Sequence, residues 1–126
     1  MMDELRPLTE RFRRQQLPPA EWTHEAHVRV ALFHVLEDSE LALERMRAGI
    51  QALNAANGIP QTETGGYHET LTRFWLTLVR KHWAGEWAPF WAVLGDKKLP
   101  LRHYSRERLM SREARSGWLE PDLQPL

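Results

Sequence analysis

The stretch THEAHVRVALFHVL, Thr23–Leu36, decides the fold. Its apolar residues, Val28, Val30, Leu32, Phe33, Val35 and Leu36, fall on several sides of a helix with 3.6 residues per turn. A helix apolar over most of its circumference is buried on more than one side. Thr23 supplies a side-chain oxygen for the N-cap. One polar stripe interrupts the apolar surface. His24, His27, Ala31 and His34 share an arc of about 80°, and the small Ala31 leaves room between the imidazoles.

Working outward, every neighbouring segment also reads as helical. From Asp3 to Gln16, Leu5, Leu8 and Phe12 recur at spacings of three and four, and Pro18–Pro19 stops the segment. Asp38 or Ser39 can cap a third helix carrying Leu41, Leu43, Met46, Ile50 and Leu53, which ends at Asn57–Gly58. After the polar loop IPQTETGG, a fourth helix is predicted from near Tyr67 to about His82, with Leu71, Phe74, Trp75, Leu78 and Val79 facing inward. EWAPFWAVLG is a short fifth helix closed by Gly95. Ser105 and Ser111 are plausible caps in a tail of one or two short helices, and Pro121 and Pro125 exclude a helix at the end. No strand alternation and no internal repeat appears. The prediction is one all-α domain over residues 1–126, a compact bundle of five to six helices.

Composition narrows the function classes. The 126 residues fit one domain, and lysine plus arginine equal aspartate plus glutamate at 17 each. That balance argues against a protein whose main work is holding nucleic acid. Lys97 to Arg115 is basic, but a solvated face balanced by acids elsewhere is its simpler reading. Without cysteine there is no disulfide and no thiolate zinc site. No apolar run reaches the roughly 18 residues of a membrane span. The first residues, MMDELRPLTERFRRQQ, lack the apolar core of a signal peptide, so the cytoplasm is the expected location. Gly-x-Ser-x-Gly, Gly-x-Gly-x-x-Gly and P-loop patterns are all missing.

The chemistry-bearing residues gather in two places. His24 and His27 lie three apart on one helix face. In the fourth helix, His68, Leu71, Trp75, Leu78 and His82 follow spacings of 3, 4, 3 and 4, so His68 is expected on the inward face. Packing of the two helices would bring His68 towards His24 and His27. Three neutral imidazoles plus water is a catalytic zinc pattern, and imidazole also suits iron, nickel and copper. His24, His27 and His68 are therefore the candidate ligands of a divalent metal ion, and a metal held there points to hydrolysis or hydration. His68 and Glu69 are the candidate catalytic pair, Glu69 acting as a base whose pKa an apolar pocket would raise. Trp22, Tyr67 and Thr70 are candidate ligand-positioning groups. In place of a metal, the same three histidines could hold a small polar ligand. The alternative class is a protein–protein interaction or assembly module, in which the histidines are buried hydrogen-bonding residues and Trp83 or Trp87 forms the partner surface.

Four segments, WTHEAH, GGYHETLTRFW, YSRERLMSREAR and WLEPDLQPL, together resemble a family of small bacterial proteins of unassigned function. GYHETLT is the most specific part. The resemblance implies an all-helical domain and no particular activity, and it points to Trp22, His24, His27, Tyr67, His68, Glu69 and Thr70.

Overall fold

A computed structural model describes residues Met1–Leu126. It is all-helical. The five longer helices are α1 (Met2–Arg13), α2 (His24–Asp38), α3 (Ala42–Ala56), α4 (Glu69–His82) and α5 (Trp87–Leu94). A 3₁₀ turn, Pro19–Glu21, precedes α2. The tail carries three short helices, α6 (Pro100–His103), α7 (Arg106–Leu109) and α8 (Arg112–Ser116). That is one short helix more than the tail was expected to hold. No helix is long and apolar enough to cross a membrane.

Helix α2 is the centre. It packs on α1, α3 and α4, while α4 also meets α5 and α8. Val28, Val30, Ala31, Leu32, Phe33 and His34 are buried in sequence along it, as its all-round apolar surface requires. Thr23 caps it, its Oγ1 accepting the amide of Ala26 at 3.2 Å. Ser105 and Ser111 cap α7 and α8 through the amides of Arg108 and Ala114.

Two ends depart from the sequence reading. α1 stops at Arg13, several residues before the prolines. Gln15 takes φ 54°, the Gln16 amide returns to the Arg11 carbonyl at 2.8 Å, and the Gln15 amide returns to that of Phe12 at 3.1 Å. This is a Schellman closure without its usual glycine. α3 closes the same way with a glycine, Gly58, at φ 71°. α3 also begins later than Asp38 or Ser39 would have it, at Ala42. Asp38 instead accepts the amides of Glu40 and Leu41, forming a turn between the helices. Leu41, expected on the buried face of α3, is exposed there.

Candidate functional site

His68 is the N-cap of α4, not a residue of its first turn. Its Nδ1 accepts the amide of Leu71 at 3.1 Å, and its Nε2 donates to the Leu109 carbonyl at 2.8 Å. An acceptor at one nitrogen and a donor at the other require the neutral ring. Burial lowers its pKa, the bond to Leu109 works against that, and the nearby Arg115 charge lowers it again. Both ring nitrogens are committed to holding the backbone.

The other histidines hold backbone as well. His24 donates from Nε2 to the Leu94 carbonyl at 2.7 Å, its ring lying against Trp75 and Trp91, and so ties the end of α5 to the start of α2. His34, fully buried, donates from Nδ1 to the Val30 carbonyl at 2.8 Å. His27 donates from Nδ1 to the Thr23 carbonyl at 2.8 Å and stacks on Trp22, ring centroids 3.8 Å apart. Its Nε2 has no protein partner and is not sealed from solvent. Burial pushes the His27 pKa down to about 4, against the raising effect of Thr23 and with a further lowering by His24. The ring is neutral at pH 7, and the lone pair on Nε2 is free.

His27 and His68 line one cavity of about 220 Å³ between α2, α3 and α4. Val28 and Ala31 of α2, Met46 and Ile50 of α3, and Leu71, Trp75 and Leu76 of α4 make its walls. Tyr67, Gly66 and Thr72 complete it. The small Ala31 does leave the space that the stripe geometry anticipated. The two contributions from α3 had no signal in the sequence, because periodicity marks a face as buried without saying what it faces.

Gly66 is needed where it stands. It has φ 89°, and a side chain there would press on Gln61 Oε1 and the Pro60 carbonyl. Gln61 grips the next residue twice, accepting the Tyr67 amide at 2.8 Å and donating to its carbonyl at 3.1 Å. Tyr67 is thereby fixed as a wall of the cavity.

Glu69 faces away from a catalytic role. Arg47 holds it by two bonds, Nε to Oε1 at 2.9 Å and Nη2 to Oε2 at 2.6 Å, and the Tyr67 hydroxyl donates to Oε1 at 2.6 Å. The Arg47 guanidinium lowers its pKa despite burial, and the Tyr67 hydroxyl adds to that. The shift runs opposite to the raised value expected of a buried general base. Tyr67 itself is pushed up to about 12, first by burial and then by its bond to Glu69.

Thr70 and Trp22 are likewise structural. The Thr70 hydroxyl donates to the Gly117 carbonyl at 2.6 Å and accepts the Leu119 amide at 3.2 Å, docking the tail on α4. Trp22 stacks between Phe12 and His27. Arg115 and Asp122 do not pair: Arg115 donates to the Gly66 carbonyl, and Asp122 accepts the Ser105 amide.

The anticipated sites thus separate. His27, Tyr67 and His68 meet at the cavity, while His24, Glu69, Thr70 and Trp22 each serve another contact. His24, His27 and His68 do not form a ligand set, and no three His, Asp or Glu side chains converge on a point where a metal ion could sit. His24 keeps a lone pair on Nδ1 and His27 on Nε2, whereas His68 has both ring nitrogens engaged, so only two of the three imidazoles have a free lone pair in this arrangement. No family model matches the chain, and no curated protein or solved structure is significantly similar to it.

Proposed function

We propose that the protein binds a small, largely apolar molecule in the cavity between α2, α3 and α4. One observation carries this reading: His27 presents an unpartnered Nε2 lone pair on a ring that lines an apolar cavity of about 220 Å³. An apolar cavity of about 150 Å³ accommodates benzene, so the space suits a ring or short chain of similar bulk. A single polar group among apolar walls fixes the orientation of such a ligand. The ligand class is therefore a small hydrophobic molecule with one hydrogen-bond donor, such as a hydroxyl. A ring nitrogen with pKa about 4 is a good hydrogen-bond acceptor and a weak proton acceptor at neutral pH, which favours binding over acid–base catalysis. Metal-assisted hydrolysis through His68 would first require its Nδ1 to release the Leu71 amide. A chain free of cysteine is at home in the cytoplasm.

Titration with phenol and toluene, read by NMR on the Trp75 indole, tests the reading. Both should bind saturably to the parent, phenol more tightly. Ala31→Leu should fill the space and abolish both responses. His27→Phe should keep toluene binding and remove the preference for phenol. A preference that survives His27→Phe, or a parent that binds neither probe, would sink the proposal.

A second reading has its own observation. Helix α5 turns Ala88, Pro89, Ala92 and Val93 outward on one face, while its Trp87 and Trp91 stack at 5.4 Å on another and Arg29 covers the face of Trp87 at 4.3 Å. That apolar ridge supports an interaction module. Sedimentation of the parent and of Val93→Glu across protein concentration tests it: association in the parent alone favours the module.

A further inference from the structure

On the far side of Tyr67 from the apolar cavity lies a second cleft, about 400 Å³, with different chemistry. Arg47 of α3, Arg73 of α4 and Arg115 of α8 all line it, against one carboxylate, Glu69. Three guanidinium groups and one carboxylate leave two positive charges uncompensated.

Only Arg47 is paired. Arg73 makes no side-chain hydrogen bond or ion pair, and its guanidinium lies over the Trp118 ring at 5.0 Å from the centroid. Arg115 reaches only a neutral acceptor, the Gly66 carbonyl at 3.2 Å. Its Nε is buried and has no partner, the one such side-chain atom in the chain. A half-buried guanidinium without a counter-ion carries a desolvation penalty that an anion relieves. Four half-buried arginines of α1 to α3 do have acids: Arg13 and Arg45 share Glu37, Arg29 has Glu25 and Arg11 has Glu21. Arg108 of α7, like Arg115, bonds a backbone carbonyl, that of Glu120.

We propose that this cleft binds a phosphate dianion, free or as a monoester. Two unpaired charges match the dianion, and guanidinium forks match phosphate oxygens in geometry. Arg73 and Arg115 supply the charge, and Gln51 on the rim supplies a neutral donor. Trp118, already stacked under Arg73, offers its remaining surface to the organic part of a monoester. The site is independent of the α2–α4 cavity, and loss of either leaves the other reading standing.

The test is titration of the full chain with inorganic phosphate, phenyl phosphate and succinate at constant ionic strength, followed by NMR on the Trp118 indole. Saturable shifts with phosphate are expected in the parent. Arg73→Gln should weaken them by about tenfold or more, the effect of losing one charge-assisted contact. Arg73 makes no hydrogen bond or ion pair in the fold, so helix content should stay at the parental value and Tm should fall only slightly, through the lost contact with Trp118. Arg106→Gln, on exposed α7 and outside the cleft, should bind as the parent does. Tighter binding of phenyl phosphate than of phosphate identifies a monoester as the ligand; the reverse order identifies the free ion. No saturable shift, equal binding by Arg73→Gln, equal weakening in Arg106→Gln, or tighter binding of succinate would each overturn the proposal.

Discussion

The Nε2–H of His68 donates to the carbonyl of Leu109, 41 residues further along the chain, at 2.8 Å. The same ring caps α4 through Nδ1. One imidazole thus starts a central helix and anchors the end of α7 to it. His68→Asn keeps a capping oxygen but not the reach to Leu109, and should lose about 1 kcal/mol. His68→Ala loses both and should lose about 2–3 kcal/mol. Urea unfolding of the two variants checks the order; equal losses would mean that the cap contributes nothing.

The Arg47–Glu69 pair crosses from α3 to α4 with the carboxylate nearly buried and the guanidinium 38% exposed. Leaving either charge alone should be worse than removing both. We expect Glu69→Gln to destabilise by about 2 kcal/mol, and the Arg47→Met, Glu69→Leu double variant by clearly less than the sum of its singles. A double-mutant cycle with no coupling energy would contradict this.

Acid should weaken the fold earlier than its carboxylates alone predict. An unfolded histidine titrates near 6.5, and His27 in the fold at about 4. Below pH 6.5 the unfolded chain takes up a proton that the folded ring refuses, so stability falls as pH drops through that window and levels off below it. Burial also lowers His34 and His68, which act in the same direction. For His27, whose ring water partly screens, the loss should be about 2 kcal/mol. Urea midpoints at pH 7.5 and pH 5 should differ less in His27→Phe than in the parent. An unchanged difference would show that His27 is not the titrating group.

Gly49 sits where α3 meets α1, and a methyl group there would overlap Cε2 and Cζ of Phe12. Alanine is the better helix former by about 1 kcal/mol. Because Phe12 is fully buried and has little room to yield, overpacking should win. Gly49→Ala is expected to lower stability by about 1–3 kcal/mol, measured by thermal unfolding.

Gln15→Gly should act in the opposite sense. The position already has φ 54°, which a side chain tolerates poorly and glycine does not resist. We expect a gain of about 0.5–1 kcal/mol in urea unfolding. A loss would mean that the Gln15 side chain, which donates to the Arg13 carbonyl at 2.7 Å, matters more than the backbone.

These sites divide by how they could be read. Thr23, Ser105 and Ser111 were legible as caps because a cap is a local pattern: a short polar side chain ahead of a helical run. The burial of α2 was legible because its apolar residues leave no outward face. The end of α1 was not, since Gln15 carries no turn signal and the later prolines drew the boundary towards themselves. The His27 side of the pocket followed from helical spacing, with Ala31 as the gap. The fate of Glu69 did not, because its partner Arg47 is 22 residues away on another helix. His24 reaches 70 residues ahead to Leu94, and no spacing rule carries that distance.

Thr70 gives the molecule a distinct mode of breathing. Its one hydroxyl both donates to Gly117 and accepts from Leu119, so the segment from Gly117 onward is hydrogen-bonded to α4 through a single side chain. Tyr104 adds a bond to the Leu119 carbonyl at 2.7 Å, and Arg108 adds one to that of Glu120 at 2.7 Å. None of these bonds belongs to a helix. The tail can therefore lift as a unit while the bundle beneath stays folded, and the Leu119 amide should exchange with solvent deuterium at the rate of that lifting, well ahead of the amides at the centre of α2.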